Sequence, residues 1–309
     1  MAADDMPSEG SSEVAKRPRG WSIEYLRFLL RMAAKYPVDF VKHVVSWTRY
    51  TLLPGTTRRS YSPPVFKCAD VEAAVAAFYR DGFVVLSDAL APDDVQQLYR
   101  IVKQKADDIL HLDEQGLIPP ESMHGPQRYS YGEYGHNPEW EYLGHNERVL
   151  PILSGIWQGH AFKAVAAGGD FVLPGGELQA LHNDLSWKGA GEKTPRILIV
   201  NYYVADVLPT SGPIRMVPGT ARFPVPPHRV IERYEPQWMR QSTITGKAGY
   251  VVIRDPRGWH GGTPNSSPDP RYMPNIEYVM NDAPDAHLDS TATLDQLSRG
   301  RWIAEFSNA

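Results

Sequence analysis

Apolar positions change their spacing along the chain. From Trp21 to Leu53, Ile23, Leu26, Leu30, Ala33 and Ala34 recur at helical intervals, and after Pro37 the same holds for Phe40, Val41, Val44, Val45 and Trp47. Residues three and four apart share a helix face, so this stretch predicts a helical extension over residues 21–60. A further helix is predicted from Asp70 to Asp81, capped by Asp70 and stopped at Gly82, followed by a short buried strand, Phe83 to Leu86. Ala91-Pro92-Asp93-Asp94 opens the next helix, with Pro92 and acidic side chains in its first turn, and the pattern carries it to about Leu110. From Phe162 onward short apolar runs (Phe171 to Leu173, Ile197 to Tyr203, Ile214 to Val217, Tyr250 to Ile253, Asn275 to Met280) alternate with Pro- and Gly-rich turns. That spacing predicts a sandwich or double-sheet barrel, mainly β with flanking helices, and not a parallel α/β sheet. No fixed-period repeat supports a solenoid or propeller.

Composition narrows the field. With 42% hydrophobic and 22% charged residues, the 309-residue chain can bury a substantial core. Residues 1–20 hold little that can be buried and are expected to form a disordered tail, leaving residues 61–309 as one large domain. The formal charge is −4 and no basic run is dense, so nucleic acid is not an expected partner. Arg27, Arg31, Lys35, Lys42 and Arg49 give the extension a basic face, which suits an anionic membrane surface or, the favoured reading, a solvated surface of helices packed on the main domain. The single cysteine, Cys68, excludes an intrachain disulfide, a thiolate zinc site and an iron–sulfur cluster built by one chain. A reducing, cytoplasmic setting is expected. No membrane span is expected, because no run of 18 apolar residues occurs.

The candidate chemistry lies in histidine spacing. A ferrous oxygenase site needs two imidazoles and a carboxylate on one face of the ion, leaving adjacent positions open. His-x-Asp on a strand supplies two of the three, because residues two apart project from one side. His111-Leu112-Asp113 sits in a helical stretch, where two residues turn the side chains about 200° apart. His287-Leu288-Asp289 has no histidine after it, and His145-Asn146-Glu147 runs into the helix start Arg148-Val149-Leu150-Pro151. His182-Asn183-Asp184 instead follows the turn Pro174-Gly175-Gly176 in the strand-like stretch Glu177 to Leu185. His260 lies 78 residues on, beside the strand Tyr250 to Ile253. His182, Asp184 and His260 are therefore the candidate metal ligands. Arg271 follows His260 by 11 positions, across the turn Pro268-Asp269-Pro270. Its guanidinium, always charged and bidentate, suits the far end of a dicarboxylate.

Gln179-x-x-His182-x-Asp184, the run Ser211-Gly212-Pro213-Ile214-Arg215-Met216-Val217-Pro218-Gly219-Thr220, the run His260-Gly261-Gly262-Thr263-Pro264-Asn265-Ser266, and Arg271 together resemble the phytanoyl-CoA dioxygenase family of 2-oxoglutarate oxygenases. The resemblance covers roughly residues 70 to 280. It implies a double-stranded β-helix, a jelly-roll core flanked by helices. It implies Fe(II), 2-oxoglutarate and O2 as cofactor and co-substrates, with Arg271 binding the distal carboxylate of 2-oxoglutarate and Gln179 touching it. On a regular strand, however, an offset of three sets Gln179 and His182 on opposite faces, so a bulge or a strand end is required. Asp184 stands where related iron halogenases carry a small residue, which disfavours halogenation.

The resemblance implies oxidation of a small organic molecule, by hydroxylation, desaturation or a related C–H oxidation, in a setting such as secondary metabolism. The candidate substrate wall comprises Tyr129, Tyr131, Tyr134, His124 and Arg128, together with Trp187 just after the ligands. Arg196 is a candidate for a substrate carboxylate, and Lys188 to Pro195 for a lid. Two alternatives come from other classes: a non-catalytic metal-binding cupin-like barrel acting as sensor or scaffold, which has no need of Arg271, and a zinc hydrolase. The second lacks a motif supplying a general base and the His-Glu-x-x-His signature.

Overall fold

The computed structural model describes residues 62–118, 122–132, 137–184, 193–222, 242–281 and 304–306, together with Leu30, Ala33 and Ala34. Those last three are helical, as their spacing predicts; the tail and the rest of the extension lie outside the described residues. In chain order the domain contains β1 (Val65–Lys67), α1 (Val71–Asp81), β2 (Phe83–Ser87), α2 (Pro92–Glu114), β3 (Met123–Gly125), β4 (Arg128–Ser130), α3 (Leu150–Ile156) and β5 (Phe162–Val172). There follow β6 (Ile197–Tyr202), β7 (Ile214–Met216), β8 (Ser242–Thr243), β9 (Val251–Arg254), β10 (His260–Gly262), β11 (Arg271–Met280) and β12 (Ala304–Phe306).

The strands form two sheets. The major sheet runs β1-β2-β9-β6-β11-β5-β4-β3, with β12 also on β5, and the minor sheet runs β10-β7-β8. Every pairing is antiparallel except β1 with β2. One face of the major sheet is covered by the helices: Ala74, Ala77 and Phe78 of α1, Leu98, Val102 and Ala106 of α2, and Ile152, Leu153 and Ile156 of α3 share a core with Val84, Leu198, Val200, Ile253 and Ile276. The three- and four-residue steps within each helix place those side chains on one face, which is what holds the helices to the sheet.

The other face of the major sheet forms the inside of the jelly roll, and strict alternation assigns its residues. On β11, Tyr272, Ile276 and Tyr278 enter the helix-side core, while Arg271, Met273, Asn275 and Glu277 line an internal cavity. On β6, Leu198, Val200 and Tyr202 face the helices, and Ile197, Ile199 and Asn201 face the cavity. Elsewhere inside the roll, Phe83, Val85, Val252, Ile214, Met216 and Ile244 close a second apolar cluster. On the β5–β11 pair a bulge interrupts the pattern: Glu277 pairs with Ala166 but Tyr278 with Ala164, leaving Val165 without a partner on β11. The bulge returns Ala164 to the helix-side core, so β5 serves both layers.

Several predicted boundaries shift. The run Phe171 to Leu173 is the end of a strand that begins nine residues earlier, at Phe162. Helix α2 continues past Leu110 to Glu114. Asp70 flanks α1 but makes no side-chain cap; its carboxylate instead accepts from the Lys67 N–H. Gly82 ends α1 as expected, in the left-handed conformation at φ 83°.

Gly169, at φ +123°, lies where β5 passes closest to β11: a Cβ there would stand 2.3 Å from the Met273 carbonyl oxygen and 2.7 Å from Pro274 Cα. Both are backbone atoms, which cannot yield without parting the strands that carry Asp170 and Arg271. Gly169→Ala is expected to cost about 3 kcal/mol or more in urea unfolding; a wild-type midpoint would contradict the close approach.

Candidate metal centre

The segment Glu177 to Asp184, predicted as a strand, is extended but irregular. Its one ladder contact is an isolated bridge in which His182 and His260 each donate a backbone N–H to the other's carbonyl, both at 2.8 Å. Flanking bonds, Gln179 N–H to Gly262 O at 3.0 Å and Asp184 N–H to Pro256 O at 3.0 Å, lay the segment along β10. Because the segment is not a regular strand, Gln179 and His182 both line the cavity despite their three-residue offset. The residues preceding the two histidines, Leu181 and Trp259, turn the other way and pack with Val217 in a small buried cluster.

Ligand atoms of His182, Asp184 and His260 lie within 4.8 Å of one another, a group that could hold a metal ion. The imidazole Nδ1 of His182 is 2.9 Å from Ala180 O, and that of His260 is 2.9 Å from Gly258 O. A carbonyl can only accept, so each Nδ1 carries the hydrogen and each Nε2 is the atom turned toward the metal position, that of His260 lying 3.3 Å from Arg254 Nη1. Asp184 Oδ1 stands 3.3 Å from His260 Nε2 and 3.7 Å from His182 Nε2. Oδ2 of the same carboxylate accepts from Arg254 Nη1 at 2.7 Å, while Arg254 Nε donates to Asn201 Oδ1 at 3.1 Å. Desolvation acts to raise the Asp184 carboxyl, but His260 and Arg254 beside it outweigh burial and hold it well below the usual carboxylate range. Desolvation and the neighbouring His260 lower the His182 pKa, which keeps its ring neutral. This donor set fits a divalent metal: two imidazoles and one ionised carboxylate oxygen, converging on a cavity.

Arg271, at the start of β11, faces the same cavity of about 300 Å³. Its guanidinium grips Asp170 of β5 through two bonds, Nη1 to Oδ1 at 3.2 Å and Nη2 to Oδ2 at 2.7 Å. Burial pushes the Asp170 carboxyl up; Arg271 beside it outweighs burial and holds it below its ordinary value. Arg271 Nε is buried with no hydrogen-bond partner among the described residues, an orphaned donor at the place where a co-substrate carboxylate is expected. Gln179 spends its Oε1 on the Gly262 N–H at 2.8 Å and one amide hydrogen on His124 O at 3.3 Å, leaving the second hydrogen for a ligand.

The glycine-rich motifs support these groups from behind. Arg215 Nη2 donates to Gln179 O at 2.5 Å, and Met216 pairs with His260 across β7 and β10. Buried Asn265 donates to Val172 O at 3.1 Å and Asp269 O at 2.9 Å, and its backbone exchanges bonds with Gly175 and Gly176. It thereby ties the loop leading to Arg271 to the turn leading to His182.

The substrate wall requires correction. Tyr129 and Tyr131 are core residues: Tyr129 stacks on Phe171 with ring centroids 5.1 Å apart and donates to Asp113, and Tyr131 meets Trp140 edge-on at 5.2 Å. They belong to β4 and the residues just after it, on the helix side of the sheet. Arg128 is buried and donates to the carbonyls of Glu177 and Thr263, a structural strut. Arg196 immediately precedes β6 and is not among the residues lining the cavity. Tyr134 and Trp187 lie outside the described residues, as does most of the proposed lid; His124 does line the cavity. Sequence reasoning missed Arg254, Asp170, Asn201, Asn275 and Glu277. For Asn201 on β6 and for Asn275 and Glu277 on β11 the alternation carried the signal, because each is a polar residue on the face opposite the apolar helix-side residues.

Solved structures share this fold. AviO1 from Streptomyces viridochromogenes Tue57 is 21% identical at a TM-score of 0.52, over 70% of this chain and 97% of that one. The non-heme alpha ketoglutarate dependent epimerase SnoN, from nogalamycin biosynthesis, is 19% identical at 0.53, over 68% and 81%. HygX from Streptomyces hygroscopicus, with nickel and 2-oxoglutarate bound, is 13% identical at 0.51, over 68% and 87%. The likeness is one of fold, a jelly-roll core flanked by helices. Residues 78–273, well over half of the chain, match the phytanoyl-CoA dioxygenase (PhyH) family, and the chain belongs to that family. No curated protein matches the chain. Among the described residues no helix is long and apolar enough to cross a membrane.

Arg254→Met removes the cation that fixes Asp184 and is expected to weaken metal binding roughly 10- to 100-fold with the fold retained. Calorimetric titration with Ni(II) checks this, and unchanged affinity would contradict it. A second expectation concerns pH. Burial, then the nearby Asp184 charge, push the Glu277 carboxyl up to about 7, only partly offset by Arg254. A folded-state pKa above the unfolded value means that the folded protein binds the extra proton, so this group's contribution falls as pH rises from about 4.5 to 7. In metal-free protein, wild type is expected to lose stability relative to Glu277→Gln across that window, measured as urea midpoints; parallel pH profiles would contradict it.

Proposed function

We propose that the chain is a non-haem iron(II), 2-oxoglutarate-dependent dioxygenase in which His182, Asp184 and His260 hold the iron. Arg271 and Gln179 hold 2-oxoglutarate in this reading, and the substrate is a small organic molecule. The observation that carries it is the convergence of the His182 and His260 Nε2 atoms and Asp184 Oδ1 on one cavity whose wall also presents Arg271. When bound, iron and 2-oxoglutarate supply the oxidising chemistry, with dioxygen consumed and 2-oxoglutarate split to succinate and carbon dioxide.

The protein's own part is positional. Arg254 occupies one oxygen of Asp184 and leaves the other for the metal, so the carboxylate serves as a one-oxygen ligand and coordination positions stay open. The two Nδ1–H bonds fix ring orientation before the metal arrives. Arg271, held by Asp170 and aimed by the β5–β11 pairing, offers a buried cation to the distal carboxylate of 2-oxoglutarate. Related folds support epimerisation in SnoN and ring formation in the carbocyclase SnoK, so the oxidative outcome here is set by how the substrate lies in the cavity.

Full-length protein with Fe(II), air and 2-oxoglutarate is expected to release succinate slowly even without substrate. His182→Ala, Asp184→Ala and His260→Ala should each abolish it through lost metal. Arg271→Ala should keep the metal and raise the 2-oxoglutarate concentration needed for half-maximal release by roughly 10- to 100-fold, the value of a charge-assisted pair. Wild-type behaviour of Arg271→Ala would remove it from the anchor role.

A further inference from the structure

Every charged side chain lining the cavity has a partner in the described structure except one. Asp184 is paired with Arg254 at 2.7 Å, and Asp170 with Arg271 at 2.7 Å. Glu277, two strand positions beyond Asn275 on the same face of β11, also lines the cavity, yet it makes no hydrogen bond or ion pair among the described residues. Its cross-strand neighbours are Ile199 on β6 and Ala166 on β5, both lining the same cavity. The carboxylate thus has apolar side chains to either side and no direct partner, with the Asp184–Arg254 pair near it beyond Ile199. A half-buried carboxylate with no protein partner, facing a cavity, is costly to keep, and a site that keeps one offers a strong, specific partner to a ligand cation.

We propose that Glu277 is the substrate-recognition residue, and that the substrate is a small organic molecule with an apolar body and a protonated amine. The apolar body rests on Ile197, Ile199 and Ala166, and the ammonium donates to the Glu277 carboxylate. This orients the molecule relative to the metal group without using any of the residues that hold metal or co-substrate. Small Ala166 and Gly168 opposite β11 leave the space that a ring would fill. The neutral hydroxyl or carbonyl counterpart of the same molecule lacks the charge-assisted bond and binds more weakly. This inference rests on the oxygenase reading of the site and adds its ligand class.

The test uses full-length protein loaded with Ni(II) and 2-oxoglutarate, and three probes of matched shape: cyclohexylamine, cyclohexanol and cyclohexanone. Affinities are read by ligand-observed NMR at pH 8. Wild type is expected to bind cyclohexylamine about tenfold more tightly than either neutral probe. Glu277→Gln should lose that preference while binding 2-oxoglutarate as wild type does, and Glu277→Asp should retain part of it. Equal binding of the three probes by wild type, a preference for cyclohexanone, or a preference that survives in Glu277→Gln would overturn the proposal. Failure of 2-oxoglutarate to bind nickel-loaded wild type would instead count against the oxygenase reading, so the two failures are distinguishable.

Discussion

The pair of backbone hydrogen bonds between His182 and His260 is the constraint on which the site depends. Both are 2.8 Å long, and they join two short segments that have little other regular structure. Once the two peptides are locked face to face, side-chain directions follow. Leu181 and Trp259 go down into an apolar cluster with Val217, and the imidazoles go up into the cavity. Each ring is then fixed by its own backbone, through a carbonyl two residues earlier in the chain. Asp184 follows because its N–H is held by Pro256, in the turn that starts just after Arg254. The buried Asp255–Arg257 pair stiffens that turn. The metal group is thus assembled by backbone bonding before any metal contributes.

Around this lock the cavity is organised by charge. Arginines answer carboxylates at two places, Arg254 with Asp184 and Arg271 with Asp170. These pairs differ in purpose. Arg254 restrains Asp184, the proposed metal ligand, and its pairing leaves the second oxygen available. Arg271 is itself aimed by Asp170, and its orphaned Nε shows that the pair does not use up its donors. Glu277 breaks the pattern, which is why it carries the recognition proposal.

Much of this was legible in the sequence where periodicity and chemistry agreed. His182-Asn183-Asp184 and His260 could be picked out because one competing run, at His111, read as helical, another, at His287, has no histidine after it, and His145-Asn146-Glu147 runs into a helix start; His111 does lie in α2. Helix α1 was legible from its apolar face and its terminal Gly82. The first half of β5 was not: Ala164, Ala166, Ala167, Gly168 and Gly169 lack the β-branched side chains that mark strands. They are small because β11 passes close on one side and the cavity opens on the other. Tyr129 and Tyr131 were misassigned because an aromatic residue near a Gly-rich stretch reads alike whether it faces a pocket or a core. Parity against Phe171 decides it, and parity requires knowing the β4–β5 register. Arg254 and Asp170 were invisible for a related reason, since their meaning lies in partners 70 and 101 residues away.

The most direct measurement is anaerobic titration of the full-length protein with Fe(II) and then 2-oxoglutarate, followed by visible absorption. The account predicts a weak charge-transfer band that appears only when both are present, saturates at one equivalent of each, and is absent from His260→Ala. Iron binding with no such band at saturating 2-oxoglutarate would contradict it and leave a metal-binding jelly roll without oxygenase chemistry.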